Sequence, residues 1–150
     1  SPELSAGSTS VDSVYKLDSL HDLLPKAEYL VLSAPETAET EGLIGPEEIS
    51  LLKKGAVVIN VGRGALIDEL AMIKALSSGH LGGAYLDVFS KEPLPTNSPL
   101  WSFPNVLVNA HSASTSDKEN SRIVDLFCEN LMRYLNGEPL INVLDPIKGY

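Results

Sequence analysis

Short apolar runs alternate along the chain with segments whose apolar residues recur at helical spacing. The apolar runs predict four strands, at 29–33, 56–61, 83–88 and 106–109. All but the run at 83–88 are continuously apolar, which is typical of strands buried on both faces of a parallel sheet. The segments with helical spacing are Leu17–Leu24, Pro46–Lys53, Glu69–Ser78 and Ser116–Leu135. This alternation predicts an α/β fold, a parallel sheet with flanking helices, in which the four strands lie adjacent to one another in sequence order.

The residues at the ends of these segments agree with the assignment. Pro46 suits a first helical turn, and Glu47 and Glu48 follow it at the positive end of the helix dipole. Gly55 and Gly79 are placed to stop the helices before them. The second and third predicted helices therefore have defined ends.

The composition is that of an ordinary globular protein. Of 150 residues, 43% are apolar and 21% are charged, which allows one domain with a core. A net charge of −9 repels phosphate backbones, so no nucleic-acid partner is expected. A dinucleotide is not excluded, because its binding depends on local backbone donors. No apolar run is long enough to span a membrane, so no membrane partner is expected either.

Cysteine usage and the N-terminal segment indicate a cytoplasmic protein. Cys128 is the one cysteine, so no internal disulfide is expected, as in a reducing compartment. It lies in a pattern with Val124, Phe127 and Leu131, which favours a buried core thiol. Residues 1–13 are a loose lead-in rich in Ser, Gly and Thr, without the charge and apolar order of a signal peptide.

An arginine between two glycines follows the second predicted strand. Arg63 thus lies at the carboxyl edge of a parallel sheet, where such folds bind ligands. The flanking glycines allow close approach of the backbone, and a guanidinium grips a carboxylate with two hydrogen bonds. A surface arginine paired with Asp68 or Glu69 explains the pattern equally well from the residues alone.

Two acids follow the third predicted strand. Asp87 ends the strand, and Glu92 lies in a segment stiffened by Pro93 and Pro95. A carboxylate at the end of a strand faces the same crevice as Arg63. The alternative for Glu92 is a solvated loop acid, as most acids are.

A histidine follows the fourth predicted strand. Histidine is the side chain whose unperturbed titration lies nearest neutral pH, so His111 is a candidate to exchange a proton in a redox step. A neighbouring Glu would orient the ring and favour its charged form. His21 and His80 end no strand and are interpreted as surface residues.

These polar groups lie within longer motifs at the ends of three consecutive strands. The chain resembles the D-isomer-specific 2-hydroxyacid dehydrogenases over about residues 14–150. The motifs that carry the resemblance are 32–40, 60–69, 86–95 and 104–114, with 136–140 and 142–150 at the C-terminus. The resemblance implies that the chain is the C-terminal half of a Rossmann-type NAD(P)-binding domain.

The resemblance also implies roles for single residues. Arg63 would bind the substrate carboxylate and keto oxygen, His111 would be the general acid/base, and Glu92 would orient and tune His111. The residues implied to bind the cofactor, NAD or NADP, are Ala34, Pro35, Thr40, Val61, Gly62, Arg63, Asp87, Ser112 and Ala113. No metal site is implied. Ala110 departs from the family, which usually has proline there, and this lowers loop rigidity without removing a reacting group.

The phosphate-binding loop of a dinucleotide domain is not in this sequence. No G-x-G-x-x-G occurs in the 150 residues, and the separate substrate domain of the family has no counterpart either. We therefore interpret the chain as truncated. Residues 14–135 are then a partial dinucleotide-binding domain, and residues 136–150 a tail that returns toward the substrate domain.

Two functions fit these observations. In the first, the full-length parent is an NAD(P)-dependent oxidoreductase of small 2-keto and 2-hydroxy acids, a cytoplasmic homodimer, while the fragment alone is inactive. In the second, the parent is a non-catalytic dinucleotide-sensing or corepressor-like module of the same fold. Intact Arg63, Glu92 and His111 favour the enzyme, although such modules can retain these residues.

Overall fold

The computed structural model describes residues 11–145, and its centre is a parallel sheet. The strands are β1 Tyr29–Leu32, β2 Val57–Asn60, β3 Gly83–Leu86 and β4 Val106–Val108. They pair in parallel in the order β1-β2-β3-β4. The predicted strands and their order are confirmed. The predicted lead-in 1–13 and tail 136–150 lie partly outside the described residues.

The strand register brings the loops after the strands to one edge. Leu32 of β1 aligns with Asn60 of β2, Asn60 with Leu86 of β3, and Leu86 with Val108 of β4. The four strands therefore end level with one another. The residues that follow them begin four adjacent loops along the carboxyl edge of the sheet.

The helices lie where the periodicity predicts them and are slightly shorter. They are α1 Leu20–Leu23, α2 Pro46–Leu51, α3 Glu69–Ser77 and α4 Glu119–Leu135. Short 3-10 turns flank α1 at Leu17–Ser19 and Leu24–Lys26, and others occur at Gly64–Leu66 and Pro99–Ser102. The predicted helix 17–24 is divided in this way close to Pro25, which has no amide hydrogen to continue an α-helical ladder.

The start of α2 is fixed by a side chain that also holds α1. Glu48 Oε2 accepts a hydrogen bond from the Gly45 amide at 2.9 Å, and its Oε1 lies 2.6 Å from His21 Nε2. The bond from His21 is the main cause that lowers the pKa of Glu48. His21 is exposed, as predicted, whereas His80 is half-buried, with Nε2 3.0 Å from the carbonyl oxygen of Ile49.

The two predicted helix stops are confirmed by the backbone. Gly55 has a φ of 88° and Gly79 a φ of 71°. These angles lie in the left-handed region that glycine enters without a steric penalty.

The core lies between the sheet and the layer of α2 and α3. The strand order contains no reversal, so successive crossovers place these helices on the same face, where they contact each other. The buried side chains between them include Leu32, Ile44, Ile49, Val58, Leu66, Met72, Leu76 and Leu86.

The opposite face of the sheet is open within residues 11–145. Tyr29 is 67% exposed, Val31 56% and Leu107 65%. The expectation that the continuously apolar strands are buried on both faces is therefore wrong for β1 and β4. The reason is that α2 and α3 cover one face, and no element of the described chain buries the other.

The apolar side of α4 is exposed as well. No residue of α4 is buried, and Phe127 is 66% exposed. Cys128 is exposed too, so the prediction of a buried core thiol is wrong. Amphipathic spacing identified a helix correctly, but no element within residues 11–145 buries its apolar side. None of the helices described combines the length and apolar character needed to cross a bilayer.

Hydrogen exchange is expected to show that β1 is an open edge. The amides of Val57 and Val61 donate to the carbonyl oxygens of Glu28 and Leu32. The alternating backbone therefore turns the amides of Tyr29 and Val31 to the unpaired side. In a monomeric chain without residues 1–13, these amides should exchange on the order of 10²-fold faster than that of Tyr85, whose strand pairs on both sides. Equal protection of Tyr29, Val31 and Tyr85 would show that the edge is covered.

Candidate active site

The loop after β2 presents Arg63 from a turn that a buried asparagine braces. Asn60 is 1% exposed, and its Oδ1 accepts from the Gly62 amide at 3.1 Å. Its Nδ2 donates to the carbonyl oxygen of Arg63 at 2.9 Å. The side chain of Arg63 is exposed, and its Nη1 donates to the Gly62 carbonyl oxygen at 2.8 Å. The turn is therefore rigid, and the guanidinium lies at its outer surface.

The two glycines beside Arg63 allow three loops to touch. A Cβ on Gly64 would lie 2.0 Å from the carbonyl carbon and oxygen of Phe89. A Cβ on Gly62 would lie 2.8 Å from the carbonyl oxygen of Ala34. Only glycine permits these approaches, so the Arg63 turn packs between the loops that follow β1 and β3.

The acids next to this turn are engaged with backbone amides. Asp68 Oδ1 accepts from Ala71 N at 2.8 Å and caps α3. Glu69 Oε2 accepts from Ser90 N at 3.2 Å, a further contact between the loops after β2 and β3. Asp68 and Glu69 are the two acids with which Arg63 would pair if it were only a surface residue. Both carboxylates instead bind backbone amides and stabilise the local structure.

A histidine–glutamate pair joins the loops after β3 and β4. His111 Nδ1 lies 2.8 Å from Glu92 Oε2, and Glu92 Oε1 accepts from the Phe89 amide at 3.0 Å. The bond from His111 is the largest cause that lowers the pKa of Glu92; partial burial opposes it. Glu92 is ionised at neutral pH and can only accept, so Nδ1 is the donor. His111 Nε2 is then the ring nitrogen left to meet a ligand.

The backbone at His111 has an unusual conformation. Its φ of 51° lies in the left-handed region, which few residues other than glycine adopt. Such a conformation persists where surrounding contacts hold it, often at functional sites. Here the next two amides, of Ser112 and Ala113, donate to the carboxylate of Asp87 at 2.9 Å and 2.8 Å.

Asp87 is buried beneath this loop. It is 1% exposed, and its Oδ1 also accepts from Asn109 Nδ2 at 2.6 Å. Burial raises the pKa of Asp87, but the hydrogen bonds from Ala113, Ser112 and Asn109 outweigh it and hold the pKa below its ordinary value. The carboxylate is therefore a fixed negative charge below the histidine loop.

A pocket of about 640 Å³ opens beside the histidine–glutamate pair. Its remaining lining is mostly apolar and includes Phe89, Pro93, Leu94, Trp101 and Val108. Trp101 Nε1 donates to the Pro95 carbonyl oxygen at 2.9 Å, which fixes the orientation of the indole. The arrangement is a mostly apolar recess with the imidazole of His111 in its lining.

The loop after β1 contains three further residues predicted to bind a cofactor, whereas Val61 follows β2 and its amide donates to Leu32 O at 3.0 Å. Thr40 Oγ1 donates to the Pro35 carbonyl oxygen at 2.7 Å and accepts from Thr37 N at 2.9 Å, so it stabilises this loop. Pro35 is exposed and Ala34 half-buried beside Gly62.

Arg63 is linked to the histidine–glutamate pair through the backbone. Within residues 11–145, Gly64, which follows Arg63, packs against the carbonyl group of Phe89, and the Phe89 amide donates a hydrogen bond to Glu92. The predicted catalytic residues thus belong to neighbouring loops, with direct contact between Glu92 and His111.

Two asparagines that support the site were not assigned roles from the sequence. Asn60 ends β2, and Asn109 follows β4, where its Nδ2 contacts Asp87 and also Ser112 Oγ at 2.9 Å. The sequence did contain a signal for these supporting roles. An asparagine at the end of an apolar strand must find hydrogen-bond partners when its side chain is buried.

The family of the chain follows from comparison with known proteins. The family model described as the NAD-binding domain of D-isomer specific 2-hydroxyacid dehydrogenases matches residues 2–113. The chain belongs to the D-isomer-specific 2-hydroxyacid dehydrogenase family. The predicted Rossmann-type fold is confirmed by its structural neighbours.

Relatives show which proteins the chain is similar to. A glyoxylate reductase of Aeropyrum pernix is 41% identical over 127 residues, 85% of this chain and 38% of the relative. A glyoxylate/hydroxypyruvate reductase B of Pectobacterium carotovorum is also 41% identical, over 85% of this chain and 40% of its own length. The chain thus spans about two fifths of the length of these curated relatives.

Solved structures give the same result. A D-isomer specific 2-hydroxyacid dehydrogenase from Xanthobacter autotrophicus, in complex with NADPH and MES, has a TM-score of 0.84 and 44% identity, over 91% of this chain and 56% of that one. An NADPH-dependent glyoxylate/hydroxypyruvate reductase from Sinorhizobium meliloti, in complex with NADP and sulfate, has a TM-score of 0.83 and 35% identity, over 91% of this chain and 44% of that one.

Proposed function

We propose that this chain is part of an NAD(P)H-dependent reductase that converts small 2-keto acids to D-2-hydroxy acids. The observation that carries the proposal is the 2.8 Å contact between His111 Nδ1 and Glu92 Oε2. A carboxylate in this position fixes the ring tautomer and stabilises the charged ring. His111 Nε2 then donates its proton to the keto oxygen during reduction and takes it back from the hydroxyl during oxidation.

Arg63 is proposed to hold the substrate. A guanidinium has five N–H donors in a planar fork, so the bond to the Gly62 carbonyl oxygen orients it and leaves a pair of donors for a carboxylate. The contact of Gly64 with Phe89 fixes the distance between the Arg63 turn and the loop of Glu92. Substrate binding and proton transfer would thus be supported by neighbouring loops of one sheet edge.

The nicotinamide end of a dinucleotide fits the carboxyl edge of the sheet. The contact of Gly62 with Ala34 makes the loops after β1 and β2 one continuous surface, and Pro35 and Ser112 are exposed near strand ends. A reduced nicotinamide supplies the hydride when it is bound. The residues proposed to hold it are Ala34, Pro35, Thr40, Val61, Gly62, Arg63, Asp87, Ser112 and Ala113. NADPH and NADP in structures of relatives support this cofactor class.

The rest of the enzyme is proposed to come from the full-length protein. Pyrophosphate normally rests on amides of a glycine loop at a helix N-terminus, and the 150 residues contain no G-x-G-x-x-G. The isolated chain is therefore expected to be inactive. We also propose that the full-length enzyme is a cytoplasmic homodimer.

A turnover assay tests the proposal. The full-length protein that contains this chain is incubated with NADH or NADPH and a panel of 2-keto acids that includes glyoxylate and hydroxypyruvate, and loss of nicotinamide absorbance is recorded. The isolated chain serves as the inactive control. Binding of NAD(P)H without turnover of any keto acid would favour a non-catalytic dinucleotide-sensing module.

Arg63→Lys is expected to lower kcat/KM for the keto acid by roughly 10²-fold, mainly through a higher KM. Lysine keeps the charge but loses the planar fork that binds a carboxylate with two hydrogen bonds. Arg133→Lys is the matched control, since Arg133 lies on α4 and pairs with Glu129 at 2.9 Å. An unchanged KM in Arg63→Lys would remove Arg63 from the substrate site.

A further inference from the structure

Asn60 ends β2 with a buried amide side chain at a place where the neighbouring strands carry leucine. In the register of the sheet, Asn60 lies between Leu32 of β1 and Leu86 of β3. All three residues are buried, and Asn60 is 1% exposed. Burial of an amide costs free energy unless its hydrogen bonds are made, whereas a leucine here would add to the core. The presence of asparagine is therefore explained by what its amide group binds.

The side chain of Asn60 spans the turn that presents Arg63. Its Oδ1 accepts from the Gly62 amide at 3.1 Å, and its Nδ2 donates to the Arg63 carbonyl oxygen at 2.9 Å. These two groups belong to the peptide units before and after the one that joins Gly62 to Arg63. One side chain therefore fixes the Gly62–Arg63 peptide unit from both sides.

The Gly62–Arg63 peptide unit in turn holds the guanidinium of Arg63. Its carbonyl oxygen, which belongs to Gly62, accepts from Arg63 Nη1 at 2.8 Å, and within residues 11–145 this is the one hydrogen bond of the guanidinium. The glycines on either side of Arg63 are buried, whereas the arginine is exposed. Rotation of the peptide unit would therefore move the guanidinium, and a fixed peptide unit keeps it in one direction.

We propose that Asn60 is a positioning residue, which orients the Arg63 guanidinium toward the substrate carboxylate through the Gly62–Arg63 peptide unit. A planar fork makes two parallel hydrogen bonds to a carboxylate only when its plane and direction match those of the anion. The inference rests on the proposed role of Arg63 in substrate binding. Because Asn60 is buried, it acts through the turn and not by contact with the substrate.

Asn60→Asp tests this role in the full-length enzyme. The carboxylate has nearly the same shape and keeps an acceptor for the Gly62 amide, but it has no N–H for the Arg63 carbonyl oxygen, so one side of the turn is released. The KM of the keto acid and the inhibition constant of oxamate, an unreactive keto acid analogue, should rise roughly tenfold, as for loss of one hydrogen bond to a charged group. kcat and the dissociation constant of NAD(P)H should change less than about threefold, because the His111–Glu92 pair and the Gly62 amide bond remain.

Asn105→Asp is the matched control for this variant. Asn105 Nδ2 donates to the Gly82 carbonyl oxygen at 2.9 Å, and both residues directly precede strands, at the amino edge of the sheet. Loss of this donor should leave the KM of the keto acid unchanged. An unchanged KM in Asn60→Asp, or weaker cofactor binding without a change in KM, would overturn the proposal.

A double-mutant cycle separates an effect through Arg63 from a general structural effect. If Asn60 acts through the guanidinium, Asn60→Asp should add little to the loss of kcat/KM in Arg63→Lys, so the double variant should also lose roughly 10²-fold. Independent effects would instead multiply to about 10³-fold. The larger loss would show that Asn60 acts by another route and would overturn the proposal.

A second variant keeps the test decisive if the buried charge of Asn60→Asp prevents folding. Asn60→Ala introduces no charge and removes both bonds to the turn, so the KM of the keto acid should rise at least as much. In the 150-residue chain, the Gly62 amide should exchange with solvent on the order of tenfold faster in Asn60→Ala than in the wild type, while the amides of β3 stay protected. Equal exchange of the Gly62 amide would overturn the proposal. If the wild-type enzyme reduces no keto acid but the Gly62 amide responds, the proposed function fails and the support of the turn by Asn60 stands.

Discussion

Replacement of His111 by alanine is expected to lower kcat of the full-length enzyme by about 10²–10⁴-fold, the range for loss of a general acid/base. The carboxylate of Glu92 fixes the orientation of the imidazole through its bond to Nδ1, and Nε2 is the ring nitrogen left to meet a ligand. Without it, the keto oxygen must take its proton from water. Cofactor affinity should change little.

His21→Ala is the matched control for this experiment. His21 is also exposed and also bonded to a glutamate, with Nε2 2.6 Å from Glu48 Oε1, but this bond joins α1 to α2 and involves no loop that follows a strand. Its loss should affect stability and leave turnover unchanged. If His111→Ala retains wild-type turnover, or if both variants lose activity equally, His111 is not the acid/base.

Replacement of Gly64 by alanine is expected to destabilise the chain by about 3 kcal/mol, near the upper end of overpacking costs. The added Cβ would lie 2.0 Å from the carbonyl group of Phe89 and 2.5 Å from the Ser90 amide, which are backbone atoms that cannot rotate away. Since each kcal/mol lowers Tm by about 2–4 °C in a protein of this size, thermal unfolding should show a loss of roughly 6–12 °C.

Gly45→Ala is the matched control, which shows whether a loss of Tm in Gly64→Ala comes from the close contact with Phe89 or from replacing any glycine. A Cβ on Gly45 would meet Glu48 Oε2 at 3.1 Å, the far end of a flexible side chain, and Gly45 has a φ of −88° that alanine adopts freely. Its Tm should change by only a few degrees at most. Equal Tm losses in Gly64→Ala and Gly45→Ala would contradict the packing argument.

The sheet and its order could be predicted because the signals for them are local. Each apolar run is bounded by residues that end a strand, and the helices between the runs require parallel neighbours. Gly55 and Gly79 identified helix ends correctly because glycine adopts a left-handed backbone conformation without a steric penalty. The pairing of Glu92 with His111 was also predictable, since adjacent parallel strands end at the same edge.

Burial could not be predicted in the same way, because it depends on elements distant in sequence. Cys128 has the apolar neighbours of a core residue, yet it is exposed, and no residue of α4 is buried in the described chain. The environment of Asp87 was similarly hidden from the sequence. Nothing in its local pattern indicates that Ser112 and Ala113, 25 and 26 residues later, turn their amides inward to it.

Within residues 11–145 one edge of β1 is unpaired, and this affects the expected behaviour of the chain in solution. A net charge of −9 keeps copies apart at low ionic strength, whereas Tyr29 and Val31 offer an apolar surface beside unpaired backbone groups. Added salt screens charge over a Debye length of about 8 Å at physiological ionic strength and does not weaken apolar contacts. Colloidal stability of the isolated chain is therefore electrostatic in origin, and it decreases as the buffer becomes more saline or approaches the isoelectric point near pH 4.7.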